Sequence, residues 1–552
     1  MDPGSSEPPS STPENVHSLE ERFSRMRDAV FAKKPIFKEI FEERGAKNLY
    51  EYAKDYREIN RQNIVSDRQE EFLAVFGEMV DNLLGKDVAK SAVKQLRKYY
   101  FVSTAEHHGP ICNPFLLNAN LISSLHCFNN YETDLNNIIV LSCSNISLNN
   151  FMFPRGLTFT AYAKGAAQVH RLSFLPSNSH ACSIYGFRPY EKRETDKIKQ
   201  VLKDKLNKQE ISQPIADKLN EIIDEIYNQQ EVFDCKNFND QITKTNFKLW
   251  RKLFEKSKLK PSNLIYIDQE SVVRELLIRH HLYSNSALHH ILFDPVYDDL
   301  IQKYFDGVTG AFSMNSKYGT YFFWGISNDK NYRVQLWKKG NKLVSEDGSI
   351  SIELTPESLR LALEEKRVVP SLLMVFFTLN LYYGIKCLGA FNQVNYLTFM
   401  KNGYIKMMAD RGNYRSIEVC ARAQTKELIG DLHLAFMDTP DGKMLEANGL
   451  DLILYGNDMT WPTIFDSAKQ ISLKEALSVT MPENYRIVYP EVERDADIAS
   501  ITPEEITKML NLDKKIKACV HLDDGRQHSK ISENKPSKTS LLFKGFQKFR
   551  TI

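Results

Sequence analysis

The sequence has no pair of closely spaced cysteines, because its eight Cys are scattered singly along 552 residues. This spacing predicts neither a zinc ribbon nor a disulfide framework and indicates a reducing compartment. Neither sign of charge is in large excess, because the formal net charge is +2. No global electrostatic force therefore favours binding to nucleic acid or to a membrane surface. Residues 1–18 have neither the basic start nor the apolar stretch of a signal peptide. We therefore predict a cytoplasmic protein without a nucleic-acid partner.

A long uninterrupted hydrophobic run is absent as well. The most apolar region is 368–391, and Pro370, Asn380, Gly384 and Lys386 interrupt it. Polar groups and a charge at those positions would be costly inside a bilayer. The region therefore predicts a buried helix and no membrane span.

The chain is too long for one ordinary hydrophobic core. Its patterns favour an α/β fold with a mostly parallel sheet flanked by helices, a helical insertion and an additional antiparallel β meander. The predicted parts are a disordered tail (1–18), a helical lead-in (19–98), an α/β catalytic-type core (99–190), a charged helical insertion (191–300), a mixed β-meander and helical part (301–515) and a flexible basic tail (516–552). Within the insertion, residues 191–258 have helical spacing and dense charge, which predicts either a solvated helical hairpin or an arm for a protein partner.

The β meander is predicted from a change of hydrophobic period to two between residues 312 and 354. Polar clusters at 328–331 and 346–349 supply the turns that antiparallel strands need. A new structural element is therefore expected there.

The strongest chemical signal lies in residues 99–131, where a short apolar run is followed by the polar sequence EHHGP and then by an apolar periodic segment. This order predicts strand, loop and helix. Two further candidate strands, 138–141 and 171–175, also end in polar loops. If the three strands are parallel, their loops face a common crevice, which is where open α/β sheets bind ligands.

Glu106 and His108 are two residues apart, so extended backbone would point both side chains the same way. A carboxylate and an imidazole suit Zn or Mn, and they equally suit a general base with its orienting acid. Asn118 and Asn120 add amide groups on the following helix. The alternative is that His107 and His108 only satisfy backbone groups of the loop.

The three loops resemble motifs of the creatininase-like amidohydrolase family. The first family motif is approximately G-S-x-E-Q-H-G-P-H-L-P-L-x-T-D, and residues 103–118 are similar to it with one inserted residue. Residues 144–156 resemble the second motif, Y-G-x-S-x-E-H-x-x-F-P-G-T, and residues 178–183 resemble the third, N-G-H-x-x-N. Asn118 stands where the family has a metal-bridging Asp, and Asn150 stands where it has a His.

The resemblance implies a metal-dependent hydrolase that cleaves a C–N bond in an amide, cyclic amide or formamide of a small molecule. The implied cofactor is one divalent metal, Zn, Mn or Fe, whose bound water becomes the nucleophile. The expected residues are, as catalytic groups, Glu106, His108 and Arg155; as substrate-binding groups, Asn118, Asn120 and Asn150; and as metal ligands, Glu106, His108 and His180. Arg155 would hold an anionic substrate group bidentately.

Two alternatives remain open. The first is an enzyme without metal, in which His108 is the general base, Glu106 orients it and Cys182 is the nucleophile. The second is a catalytically degenerate fold that serves as a binding or scaffold protein, with residues 191–258 as a possible contact for a protein partner. We predict that Glu106, His108, Asn118, Asn150, Arg155 and His180 line one pocket.

Overall fold

The computed structural model describes residues 18–127, 135–314, 318–327, 331–522 and 540–541. Its α-helices are α1 Leu19–Lys33, α2 Pro35–Arg44, α3 Leu49–Tyr52, α4 Ser66–Leu84, α5 Lys86–Lys98, α6 Pro114–Ser124, α7 Lys192–Asn207, α8 Gln213–Ile222, α9 Gln230–Phe233, α10 Phe238–Lys252, α11 Gln269–Leu276, α12 Ala287–Phe293, α13 Val296–Phe305, α14 Pro356–Glu364, α15 Leu372–Phe376, α16 Phe391–Asp410, α17 Tyr414–Ala421, α18 Gly449–Tyr455, α19 Thr460–Gln470, α20 Leu473–Val479, α21 Met481–Val488, α22 Ala496–Ala499 and α23 Pro503–Met509. Its strands are β1 Phe101–Ser103, β2 Asn137–Ser142, β3 Gly156–Ala163, β4 Ala166–Ser173, β5 Asn263–Asp268, β6 Phe323–Ile326, β7 Arg333–Lys339, β8 Lys342–Ser345, β9 Ser351–Glu353, β10 Val368–Pro370, β11 Lys386–Leu388, β12 Phe436–Asp438, β13 Lys443–Glu446, β14 Val520–His521 and β15 Ser540–Leu541.

A parallel sheet of four strands in the order β11-β1-β2-β5 positions the candidate site. Ser103 of β1 pairs with Val140 of β2, and β2 pairs along its whole length with β5. The strand order reverses between β1 and β11, so the first loop after β1 begins at the switch point of the sheet. The predicted mixed α/β class and its parallel sheet are confirmed.

Alternation along β2 divides the interior into two hydrophobic layers. Ile138 and Val140 face one layer together with α10, whereas Ile139 and Leu141 face the other together with α4 and α5. Successive strand residues point to opposite faces of a sheet, and both faces are covered here. This arrangement explains why β2 is apolar at almost every position and wholly buried.

The prediction that residues 171–175 continue the parallel sheet is wrong. Residues 171–173 belong to β4, which pairs antiparallel with β3 in a separate two-stranded hairpin. Lys164 and Gly165 both have positive φ, at 54° and 80°, which is the backbone of a two-residue hairpin turn. Such a short connection can join only antiparallel neighbours.

The antiparallel meander is confirmed in strands β6 to β9, with β10 added beside β6. Region 368–391 is not one buried helix: it contains β10, the short helix α15 continued by a π-helical segment, and β11. None of the described helices combines the length and the apolar character that crossing a membrane requires. A fourth sheet, in the order β14-β12-β13-β15, is formed near the end of the chain.

The sheet draws on sequence well beyond residues 99–190, since β5 and β11 lie outside that range. Helix α10, within the charged region 191–258, packs directly on β5 and is largely buried. Residues 1–17 of the predicted N-terminal tail and most of the predicted basic tail lie outside the described residues. Val520, at the start of that tail, is buried in β14.

Candidate functional site

The three predicted loops lie side by side, here named the first loop (104–113), the second loop (143–155) and the third loop (174–190). The His108 amide donates to the Cys143 carbonyl at 2.8 Å, which joins the first loop to the second. The Asn149 amide donates to the His180 carbonyl at 2.9 Å, which joins the second loop to the third. The first and second loops also pack closely at Gly109, where an added Cβ atom would lie 3.2 Å from Cα of Pro154. The loops are therefore adjacent, although the third one follows a hairpin strand.

The Glu106 side chain is 1% exposed and is held by protein groups. Its Oε2 accepts a hydrogen bond from Asn120 Nδ2 at 3.0 Å and its Oε1 accepts one from Ser103 Oγ at 3.4 Å. Burial raises the pKa of Glu106 to about 8, although hydrogen bonds with Asn120, Tyr266 and Ser103 oppose the shift. With this raised pKa the protonated carboxyl can donate to the Tyr266 hydroxyl, whose own hydrogen is donated to the His107 carbonyl at 2.7 Å.

Both ring nitrogens of His108 are engaged, and the residue is fully buried. Its Nε2 lies 3.0 Å from the Asn239 carbonyl oxygen and its Nδ1 lies 2.7 Å from Ser142 Oγ. Because a carbonyl oxygen only accepts, Nε2 carries the hydrogen and Nδ1 accepts from the Ser142 hydroxyl. Burial lowers the pKa of His108, and the nearby Asp268 carboxylate opposes that shift. His108 is thus a neutral imidazole within a closed hydrogen-bond chain.

Asn118 and Asn120 on α6 point into the protein and are buried. Asn118 Oδ1 accepts from the amides of Leu434 and Ala435 at 2.7 and 2.9 Å, and its Nδ2 donates to the Pro114 carbonyl. Asn120 Nδ2 donates hydrogen bonds to Glu106 Oε2 and to the Leu116 carbonyl of the same helix. The two amides therefore fix α6 against neighbouring segments.

Asn118→Ala is expected to destabilise the protein by about 2–4 kcal/mol, because two buried backbone donors would lose their acceptor. The free energy of unfolding in urea measures the change. Asn149→Ala is the matched control, since Asn149 is exposed in the second loop. A loss no larger than that of the control would contradict the structural role and would favour the substrate-binding role predicted from the sequence.

His107, rather than His108, faces the outer side of the loops and is partly exposed. Its Nδ1 lies 3.1 Å from Asn150 Oδ1, and the Met152 amide donates to the same oxygen at 3.1 Å. Since Oδ1 accepts from Met152, His107 Nδ1 is the donor in the first bond. The neutral ring therefore leaves Nε2 as an acceptor. Glu106 and His108 were predicted to point the same way. Both side chains are buried, so the side that they share is the interior.

In the third loop, His180 follows the short 3-10 turn Ser177–Ser179. Its Nε2 is buried, and no hydrogen-bond partner for it lies in the described part of the chain. Cys182 is 7% exposed, and burial raises the pKa of its thiol. This shift is opposite to the one that would activate Cys182 as a nucleophile.

The residues predicted as metal ligands do not fit a divalent ion. Within the described ranges, no three or more His, Cys, Asp or Glu side chains are grouped so that they could hold a metal ion. Both oxygens of Glu106 and both nitrogens of His108 are hydrogen-bonded to protein groups. A divalent ion needs anionic or free donor atoms. We therefore derive no catalytic step through a metal.

Arg155 lies beside Phe153 of the second loop. Its Cζ is 5.2 Å from the centre of the Phe153 ring. Its Nε is buried without a hydrogen-bond partner among the described residues. Burial lowers the pKa of Arg155, and the nearby Arg171 guanidinium lowers it further. Among the described residues no hydrogen bond joins Arg155 to Glu106 or His108, and the prediction that all of these residues line one pocket stays a prediction.

Three members of the interior network were missed by sequence reasoning: Ser142, Asn239 and Tyr266. Ser142 had a usable signal, because it is the polar residue that ends a buried strand. Asn239 acts through its carbonyl oxygen, which any residue possesses, so no side-chain pattern could have revealed it. Tyr266 lies in an apolar strand and was indistinguishable from a core residue.

Comparison with known proteins adds no relative. A scan against models of known protein families gives no match, and a search of curated proteins gives no match either.

Proposed function

We propose that this protein is a binding protein built on a mixed α/β fold, in which the Glu106–His108 position is a structural hydrogen-bond network. The observation that carries the proposal is the burial of both side chains, at 1% and 0% exposure, with their polar atoms engaged by protein groups. A catalytic acid or base must come within hydrogen-bond reach of its substrate. Here those directions are filled by Asn120, Ser142 and Asn239.

The network has a mechanical role that supports this proposal. It connects β1 through Ser103, β2 through Ser142, β5 through Tyr266 and α10 through Asn239. Asn120 Oδ1 and Asn239 Oδ1 have no hydrogen-bond partner among the described residues. The paired groups hold the packed elements in one arrangement, because any shift would leave a further polar group unpaired. The sheet edge is therefore a rigid support for the loops above it.

Descent from a creatininase-like amidohydrolase remains a prediction. The adjacency of the three loops supports it, since the same order of loops would surround the metal centre of such an enzyme. The neutral Glu106 and the backbone bonds of Asn118 support a degenerate version of that fold. In this proposal the small-molecule hydrolase activity has been lost.

The charged region 191–258 remains a candidate contact for a protein partner. Many of its charges are paired within the region, for example Lys192 with Asp196, Lys199 with Asp224, and Lys218 with Glu221. Surface pairs of this kind contribute little to stability, so they leave the region free to exchange partners. Its helix α10 is part of the core and is excluded from such a contact surface.

The experiment is a metal titration of the full chain. Protein produced with added Zn or Mn is expected to contain less than one bound metal ion per chain and to keep its melting temperature when a chelator is added. His108→Asn should give the same metal content as His521→Asn, a control at an exposed histidine. Stoichiometric metal that is lost in His108→Asn and retained in His521→Asn would overturn the proposal.

A further inference from the structure

Two arginines beside the second loop have no acidic partner. No hydrogen bond or ion pair of the Arg155 or Arg171 guanidinium is present within the described part of the chain. The Cζ atoms of Arg155 and Arg171 lie 5.2 and 5.3 Å from the centre of the same Phe153 ring. By contrast, the surface residue Arg360 bonds to both Glu357 and Glu364.

The position of Phe153 fixes this arrangement. Phe153 is 7% exposed and has a positive φ of 54°, which is uncommon for a bulky side chain and is maintained only by its surroundings. Its ring fills the space beside Gly156, where an added Cβ atom would lie 2.8 Å from Phe153 Cε1. Two cations are thus held near one buried ring.

Like charges at short range repel each other, and a guanidinium that has lost part of its hydration needs replacement hydrogen bonds. Arg155 meets both conditions: its Nε is buried without a partner, and Arg171 is the charged group that disfavours its cationic form. The aromatic ring offers only a weak attraction for each cation. A bound anion would relieve the repulsion and satisfy the buried donor together.

We propose that Arg155 and Arg171, held beside Phe153, bind an oxyanion, either the carboxylate or the phosphate group of a small molecule. The fork of N–H groups on each guanidinium matches two oxygen atoms of such a group. The inference rests on the proposed binding function and names its ligand class. Arg171 is exposed and Arg155 is partly exposed, so the ligand reaches the pair from solvent.

The test is a titration of the full chain with inorganic phosphate and, separately, with acetate, at constant ionic strength maintained with sodium chloride. Saturable binding of phosphate without binding of acetate would identify the ligand group as a phosphate. Saturable binding of both anions would extend the ligand class to carboxylates. Arg155→Gln and Arg171→Gln should each weaken binding roughly tenfold or more, because a charge-assisted hydrogen-bond pair is lost. Arg360→Gln is the control and should leave binding unchanged.

A second measurement separates binding from folding. Without phosphate or acetate, Arg155→Gln should melt no lower than the wild-type chain, because it removes a repulsion. With phosphate, the melting temperatures of the wild type and of Arg360→Gln should rise more than those of Arg155→Gln and Arg171→Gln. Absence of saturable binding for both anions, or equal binding by wild type and both glutamine variants, would overturn this inference. The metal titration of His108→Asn would still decide the proposed function separately.

Discussion

Glu106→Gln is expected to remove a pH-dependent loss of stability between about pH 5 and pH 8. Burial raises the pKa of Glu106 to about 8 in the folded protein, from an ordinary value of 4.5. Between these two values the unfolded chain has released the proton and the folded chain retains it. Raising the pH therefore favours unfolding, with a slope of about 1.4 kcal/mol per pH unit from this one group. Above pH 8 both states are ionised and the slope ends.

Glutamine stays neutral across this range and keeps the shape of the protonated acid. Other buried carboxyls contribute to the wild-type profile, since burial raises the pKa of Asp451 to about 7 and that of Glu483 to about 8. The informative quantity is therefore the difference in unfolding free energy between Glu106→Gln and wild type, measured in urea at several pH values. This difference should grow steadily in favour of the variant as pH rises.

The control is Glu357→Gln. Glu357 is exposed, and its hydrogen bond with Arg360 lowers its pKa, so it titrates below the range tested. Its substitution should leave the slope unchanged. A difference between Glu106→Gln and wild type that stays constant from pH 5 to pH 8 would show that Glu106 is ionised in the folded protein, and the structural network would have to be abandoned.

Glu427→Ala is expected to destabilise the protein by about 3–5 kcal/mol, because it leaves the buried Lys386 and the partly buried Arg44 without their counter-ion. Glu427 is 3% exposed, and its carboxylate lies 2.5 Å from Arg44 and 3.5 Å from Lys386 Nζ. Lys386, on β11, is 2% exposed and also donates to the carbonyl oxygens of Asp55 and Glu58. This cluster joins the N-terminal helices to the edge of the parallel sheet.

The measurement is again the free energy of unfolding in urea. Glu357→Ala is the matched control, because it breaks an exposed pair with Arg360 and should change stability little. The loss of unfolding free energy in Glu427→Gln should lie between those of Glu427→Ala and Glu357→Ala, since an amide can keep hydrogen bonds but not the charge. Equal effects of Glu427→Ala and Glu357→Ala would contradict the assignment of Glu427 as the counter-ion of this cluster.

Local patterns predicted the individual elements well. The helical lead-in 19–98 contains α1 to α5, the candidate strand 138–141 lies within β2, and the period-two region became the meander. Each of these depends on periodicity within a few turns or a few strand residues. The hairpin of β3 and β4 was missed, although Leu157, Phe159 and Ala161 alternate in the sequence and the turn at Lys164 follows them.

The sequence alone determined that Glu106 and His108 would share one side of the chain, because side chains two residues apart in extended backbone point the same way. It also determined that loops carrying His and Asn would follow the first two strands. Only the tertiary structure decided that the shared side is the interior. Tyr266 and Asn239, more than 130 residues further along the chain, supply hydrogen-bond partners of the pair. Burial raises the pKa of Glu106 and lowers that of His108 against those hydrogen bonds. Burial depends on which distant segments pack together, so no local pattern could have set these shifts.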